Sequence, residues 1–256
     1  MGICNTTPDS FSDGGHFLTP SDARDRVRAM ADEGADWIDV GGESTRPGSE
    51  PVDAGEQWKR VRPAIEAAAG FELVCSIDTT SAEVARRALD SGATVVNDVS
   101  AGRFDREMPA VMATAKAVVL MHMLGSPRTM QQSPAYDDVV AEVRAHLHAR
   151  AATVESLGLD RHRILLDPGI GFGKTLEHNL ALLRNLDAFT GDYPLLIGTS
   201  RKRFIGELTG VSNASDRVFG TAATVALAVA AGASVVRVHD VKAMRQVVDV
   251  TVAITR

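Results

Sequence analysis

The sequence predicts an α/β protein: a single (β/α)8 TIM barrel, one domain over residues 1–256, with its active site at the C-terminal ends of the strands. Three observations carry that prediction. Short β-branched runs alternate with longer helical patterns along the whole chain, as βα units around a parallel sheet do. Polar clusters follow nearly every run, whereas the opposite joints are short and built from small residues. A weak repeat marks those joints: Gly34-Ala35-Asp36, Gly92-Ala93-Thr94 and Gly232-Ala233-Ser234 each close a helix and lead into a strand, with glycine taking the left-handed turn that stops a helix.

In order, the strands are expected at Met1 to Cys4, Trp37 to Val40, Leu73 to Ile77, Thr94 to Val96, Ala117 to Met121, Arg163 to Leu166, Leu195 to Gly198 and Val235 to Val238. Helical patterns fill the intervals: Ser21 to Glu33, Ala54 to Ala68, Ala82 to Ser91, Arg106 to Thr114, Tyr136 to Leu157, Leu176 to Ala188, Arg217 to Ala230 and Lys242 to Ile254. A doubly wound open sheet is the alternative, but it usually has fewer strands and a topological switch point, and eight regular units favour closure.

Composition narrows the function classes. The 256 residues, 45% hydrophobic and 23% charged, are ordinary for a globular chain and long enough to bury a core without disulfides or metals. Cys4 and Cys75 lie within strand runs and read as small buried hydrophobes rather than nucleophiles, which suits a reducing, cytoplasmic setting. A net charge of -6 leaves no broad basic face, so neither nucleic acid nor a membrane surface is expected as a partner. No apolar run approaches the roughly 20 residues of a membrane span. Met1 to Thr6 formally fits a myristoylation pattern, but it runs into a strand with no polybasic second signal.

Strand alternation sorts the polar residues at the mouth, because side chains two apart share a face. Arg237 points with His239 and Ser200 with Lys202, two basic pairs after strands seven and eight, where barrels commonly hold phosphate. Arg46 on the second loop could close on the same anion. Asp78, Asn97 and Asp167 end strands three, four and six and offer the donors and acceptors that a heterocycle needs. Any one of them alone could simply cap a helix; three together weaken that alternative. Gly173-Lys174-Thr175 looks like the end of a P-loop, but Pro168 stands where the glycine-rich turn requires glycine. Among methionines, His122 reads as a packed or hydrogen-bonded residue rather than a metal ligand.

The loops Asn5 to Gly15, Gly41 to Gly48, Asp167 to Lys174, Ser200-Arg201-Lys202 and Arg237-Val238-His239 closely resemble, in this order along the chain, those of the dihydropteroate synthase family. Members of that family join 4-aminobenzoate to 6-hydroxymethyl-7,8-dihydropterin diphosphate, releasing diphosphate and giving 7,8-dihydropteroate for folate synthesis. By motif position the resemblance implies that Asp78, Asn97, Asp167 and Lys202 hold the pterin, that Asn5 is the magnesium ligand, and that Arg46, Arg237 and His239 hold the diphosphate. It further implies that Thr45 lies in the same second loop, that Phe172, Pro47 and Ser200 surround the aminobenzoate, and that Phe11 and Asp13 lie on a first loop folding over the reacting centre. Mg2+ is the implied cofactor and a homodimer the implied assembly.

The expected chemistry is early loss of diphosphate to leave a cation spread over the pterin, followed by attack of the aromatic amine, with no nucleophilic side chain. Asp78, Asp167, Lys202, Arg237, His239, Phe11 and Asp13 are the candidate catalytic residues. Two rivals are a pterin-dependent methyltransferase, which would not need the Arg237 and His239 anion site, and a non-catalytic pterin-binding paralogue, which would be expected to have lost part of loop one or two.

Overall fold

The computed structural model describes residues 1–6, 19–44, 48–71 and 73–255. Among the described residues, eight parallel strands follow one another: β1 (Gly2–Asn5), β2 (Trp37–Gly41), β3 (Val74–Asp78), β4 (Val95–Asp98), β5 (Ala117–Met121), β6 (Ile164–Asp167), β7 (Leu196–Ile197) and β8 (Val235–Val236). β1 to β6 pair in order as one sheet and β7 pairs with β8. Single parallel bridges join the two pieces, Leu166 to Leu195 and Gly2 to Val238. The second is a two-way link: Ile3 N–H donates to the Val238 carbonyl and Val238 N–H to that of Met1, both at 3.0 Å. Pairing therefore runs round the whole ring, as the eight-unit pattern predicts.

The helices among the described residues are α1 (Pro20–Asp32), α2 (Ala54–Gly70), α3 (Ala82–Asp90), α4 (Met108–Met112), α5 (Val139–Glu155), α6 (Leu176–Arg184), α7 (Arg203–Thr209), α8 (Val218–Ala230) and α9 (Val241–Thr255). Short polar side chains start several of them. Thr19 and Asp22 form a reciprocal box at α1, while Asp53, Ser81 and Asp138 accept first-turn N–H groups of α2, α3 and α5. The Asp138 cap explains why α5 begins later than the apolar pattern suggests. The repeated glycines behave as read: Gly34, Gly92 and Gly232 have φ of 92, 112 and 96°. Sequence reasoning missed α7. Within it a Cβ on Gly206 would stand 2.6 Å from the Val211 carbonyl and 2.8 Å from the Arg217 guanidinium, so glycine marks tight packing there.

Alternation divides every strand between two cores. Outward residues such as Ile38, Val40, Cys75, Ile77, Val96, Val118, Leu120, Ile164 and Leu166 pack under the helices. Cys4 and Cys75 belong to this layer, and burial pushes their thiols up to about 11 and 12, so both are inert. Inward residues at the strand starts form an apolar floor of Val95, Val119, Leu165 and Leu196, with Met1, Trp37, Val74 and Val235 against it. Two residues further on, the same alternation brings Asp39, Ser76, Asn97, Asp167 and Arg237 inward. The barrel interior thus changes from hydrocarbon to charge within one layer. Leu196 is fully buried in this small floor, so Leu196→Ala is expected to lower the unfolding free energy by about 2–5 kcal/mol, read as a reduced urea midpoint at unchanged slope.

Candidate active site at the barrel mouth

Three clusters occupy the C-terminal end of the ring. The first centres on Arg237, whose Nε donates to Asp39 Oδ2 at 2.6 Å and whose Nη2 donates to Asp78 Oδ2 at 2.8 Å. Asn97 Nδ2 donates to the same Asp39 oxygen at 3.1 Å. Four strands, β2, β3, β4 and β8, are tied together through one guanidinium. Two carboxylates share one cation. Burial first, then repulsion from Asp39, holds the Asp78 carboxyl above the usual carboxylate range, while Arg237 pulls it the other way. Burial opposes the charge on Arg237, but Asp39 and Asp78 more than offset that, so the guanidinium is held firmly charged. Asp39 Oδ1 and Ser76 Oγ, cross-strand neighbours in register, are buried with no hydrogen-bond partner among the described residues.

The second cluster joins β6 to the segment after β7. Asp167 is buried, and its Oδ1 accepts the Gly169 N–H at 2.7 Å. Burial raises its carboxyl above the ordinary range, opposed first by Lys202. Lys202 is lowered to about 8, by burial first, with Asp167 opposing. Its ammonium lies 4.6 Å from the centroid of the Phe172 ring and donates to the Ile170 carbonyl. Gly169, at φ 67°, lets the loop pass under His122: a Cβ there would stand 2.0 Å from the His122 carbonyl oxygen.

The third cluster closes β7 onto β8. Ser200 Oγ accepts the His239 N–H at 3.1 Å and meets His239 Nδ1 at 3.0 Å. Between Ser200 and Lys202, Arg201 adopts φ 61°, a left-handed backbone unusual for arginine. It is held there from three sides: by a bidentate pair with Asp240 at 2.6 and 3.0 Å, by Thr221 Oγ1 on its N–H, and by Arg217 on its carbonyl.

Asn5 ends β1 beside Gly41. Measured from where a Cβ on Gly41 would sit, Asp78 Oδ2 is 3.6 Å and Asn5 Oδ1 3.8 Å away. Both are hard oxygens, the donor type that suits Mg2+ held through one or two protein oxygens and a substrate phosphate, although Asp78 Oδ2 already accepts from Arg237. Among the described residues no set of three or more His, Cys, Asp or Glu side chains could hold a metal by itself.

The structure therefore brings together Asp78, Asn97 and Arg237, then Asp167, Lys202 and Phe172, then Ser200 and His239, with Asn5 beside Asp78. Phe11, Asp13, Thr45, Arg46 and Pro47 lie outside the described residues. Sequence reasoning missed Asp39, which is fully buried at the centre of the first cluster. The signal was there: a carboxylate inside the apolar run Trp37 to Val40. It also divided the mouth into a pterin half and an anion half; the structure joins the halves at Arg237.

Asp39→Asn removes the main charge repelling Asp78 and leaves a one-to-one pair with Arg237. The Asp78 carboxyl is then expected to titrate at lower pH than in the wild type, followed by carbon-13 NMR of labelled aspartate. A raised carboxyl binds protons in the folded state that the unfolded chain has already lost. Stability supplied by protonated Asp78 is thus present below the unfolded value of 3.8 and is lost as pH rises through the raised folded value. That loss is expected to shrink in Asp39→Asn; an unchanged Asp78 titration would contradict the assignment.

The pterin binding enzyme family matches residues 1–239 of the chain. A dihydropteroate synthase from Synechocystis is 47% identical over 259 aligned positions, covering 100% of this chain and 90% of that one. The solved dihydropteroate synthase of Xanthomonas albilineans with 4-aminobenzoic acid superposes with a TM-score of 0.91 at 45% identity, covering 99% of this chain and 92% of its own. The same enzyme in complex with 7,8-dihydropteroate gives 0.88 at 42% identity, again with 99% and 92% covered. With the barrel, the order of its mouth residues and this depth of similarity in agreement, the chain belongs to the pterin binding enzyme family, among the dihydropteroate synthases.

Proposed function

We propose that the chain condenses 6-hydroxymethyl-7,8-dihydropterin diphosphate with 4-aminobenzoate to give 7,8-dihydropteroate and diphosphate. The observation that carries this reading is the Arg237 bridge, in which a part-buried guanidinium at the barrel mouth is held by the inward carboxylates of Asp39 and Asp78. Asp78, Asn97 and Asp167 supply donors and acceptors for the edge of a nitrogen heterocycle. Arg237 commits two of its five N–H groups to carboxylates among the described residues, and the others are available to an anion. Lys202, beside the Phe172 ring, adds a second cation.

The bond from the pterin methylene to oxygen breaks with its electron pair leaving on diphosphate. The aromatic amine then forms the new carbon–nitrogen bond and gives up one proton. Arg237 and His239 lower the cost of charge developing on the leaving group, and Asp78 and Asp167 favour the cationic pterin. Asn5 is the residue that would hold magnesium; when bound, the ion supplies further neutralisation of the leaving diphosphate. Asp39 acts behind these groups by fixing both Arg237 and Asn97. A cytoplasmic setting fits the two unpaired buried thiols, and no helix among the described residues is long and apolar enough to cross a membrane.

We also place the homodimer interface on α8 and α9, which pack together and leave Phe219 86%, Leu227 68%, Val250 60% and Ile254 79% exposed. Light scattering on the eluting protein is expected to give a dimer mass for the wild type and a monomer mass for a Phe219→Asp and Ile254→Asp double variant. A monomeric wild type at micromolar concentration would contradict this interface.

The reaction itself is tested by incubating the protein with magnesium, the pterin diphosphate and 4-aminobenzoate and measuring dihydropteroate and diphosphate; folded protein that forms no product overturns the reading. In the same assay Asp167→Asn is expected to lower turnover by about 10²–10³-fold. Glu66→Gln, on the exposed face of α2, is expected to match the wild type.

A further inference from the structure

We infer that Lys174 and Gln131 are positioning residues that fix the Phe172 ring for the aromatic amine, by holding the backbone carbonyls of the loop after β6; this rests on the condensation proposed above.

Four consecutive carbonyls in that loop each accept from a different side chain. Lys202 takes Ile170, Gln131 Nε2 takes Gly171 at 2.7 Å, Lys174 Nζ takes Phe172 at 3.0 Å, and Tyr136 Oη takes Gly173 at 2.8 Å. Loop carbonyls at a surface ordinarily turn to water, and a belt of side chains on four in succession leaves this loop little freedom. Three glycines make the belt possible: Gly169, Gly171 and Gly173 all have positive φ, and a Cβ on Gly173 would stand 2.6 Å from that of Leu124. Phe172 is carried on the middle of the belt, with one side against Val99, Met121, Met123 and Met130 and with the Lys202 ammonium 4.6 Å from its ring centroid.

Lys174 is the unusual member. It is 4% exposed, a costly setting for an ammonium, and burial lowers it to about 7, with Asp167 opposing. Its partners are the Phe172 carbonyl, His122 Nδ1 at 3.0 Å and the His122 carbonyl at 3.4 Å, which together can take its three N–H groups. Burial, with Lys174 next, pushes His122 down to about 2, so the imidazole is neutral and Nδ1 accepts. The lysine that looked like part of a P-loop thus turns back on its own loop. A buried amine whose hydrogen bonds go to two main-chain carbonyls and an imidazole fixes the position of Phe172 relative to strand β5.

The test separates the two substrates. Lys174→Met is expected to raise the KM for 4-aminobenzoate by about tenfold, the loss from one buried hydrogen bond, with kcat and the KM for pterin diphosphate within about twofold of the wild type. Lys174→Arg, which keeps the charge and donors, is expected to recover part of that rise. Gln131 is exposed, so Gln131→Leu should fold whatever happens to Lys174→Met, and it is expected to raise the same KM by about threefold. A role in stability alone would change the melting temperature or active fraction without splitting the two KM values. Unchanged 4-aminobenzoate KM in folded Lys174→Met, or in Gln131→Leu if Lys174→Met does not fold, overturns the inference. Failure of the wild type to make dihydropteroate instead overturns the condensation on which it rests.

Discussion

The mouth of this barrel depends on one guanidinium. Arg237 is held between Asp39 and Asp78, and through Asp39 it also fixes Asn97. Buried charge is costly unless it is paired and hydrogen-bonded, so this cluster can exist only where the strands converge closely enough for β8 to reach β2 and β3 at once. Ring closure through Gly2 and Val238 provides that approach. The barrel is therefore more than a frame for the site, because strand closure and charge pairing require each other.

The remaining geometry follows from small devices that hold loops against this centre. Arg201 and Asp240 strap the ends of β7 and β8 together while Ser200 meets His239. The loop after β6 is pinned by a belt of four side chains. Preorganised donors of this kind need no rearrangement when charge develops in a reaction, which is where electrostatic catalysis gains most. A reaction that expels diphosphate and passes through a cation asks for that kind of site rather than for a nucleophile.

Most of the architecture was legible in the sequence, because β-branched runs, helical periodicity and helix-ending glycines are local signals. The eight strands, the three glycine turns and the inward direction of Arg237 came from those signals alone. What was not legible depended on partners far apart in sequence. Asp39 escaped notice although it stands in an apolar strand, since its role appears only when Arg237, 198 residues away, folds onto it. The union of the pterin and anion halves was hidden for the same reason. Helix α7, only seven residues long, was missed, and the glycine within it answers to the close approach of Val211 and Arg217, which the local sequence does not show. Lys174 lies in a stretch that looks like the end of a P-loop but fails that pattern at Pro168, and its partners, its own loop and His122, appear only in the fold.

The central claim is that Arg237 organises the pterin side of the site as well as binding the leaving group. Calorimetric binding of 6-hydroxymethyl-7,8-dihydropterin, which lacks the diphosphate, to the wild type and to Arg237→Met tests it most directly. If Arg237 sets Asp78 directly and Asn97 through Asp39, the variant binds this uncharged pterin more weakly than the wild type does. If Arg237 serves the anion alone, affinity for the uncharged pterin is unchanged and only the diphosphate form binds more weakly, which would contradict the account.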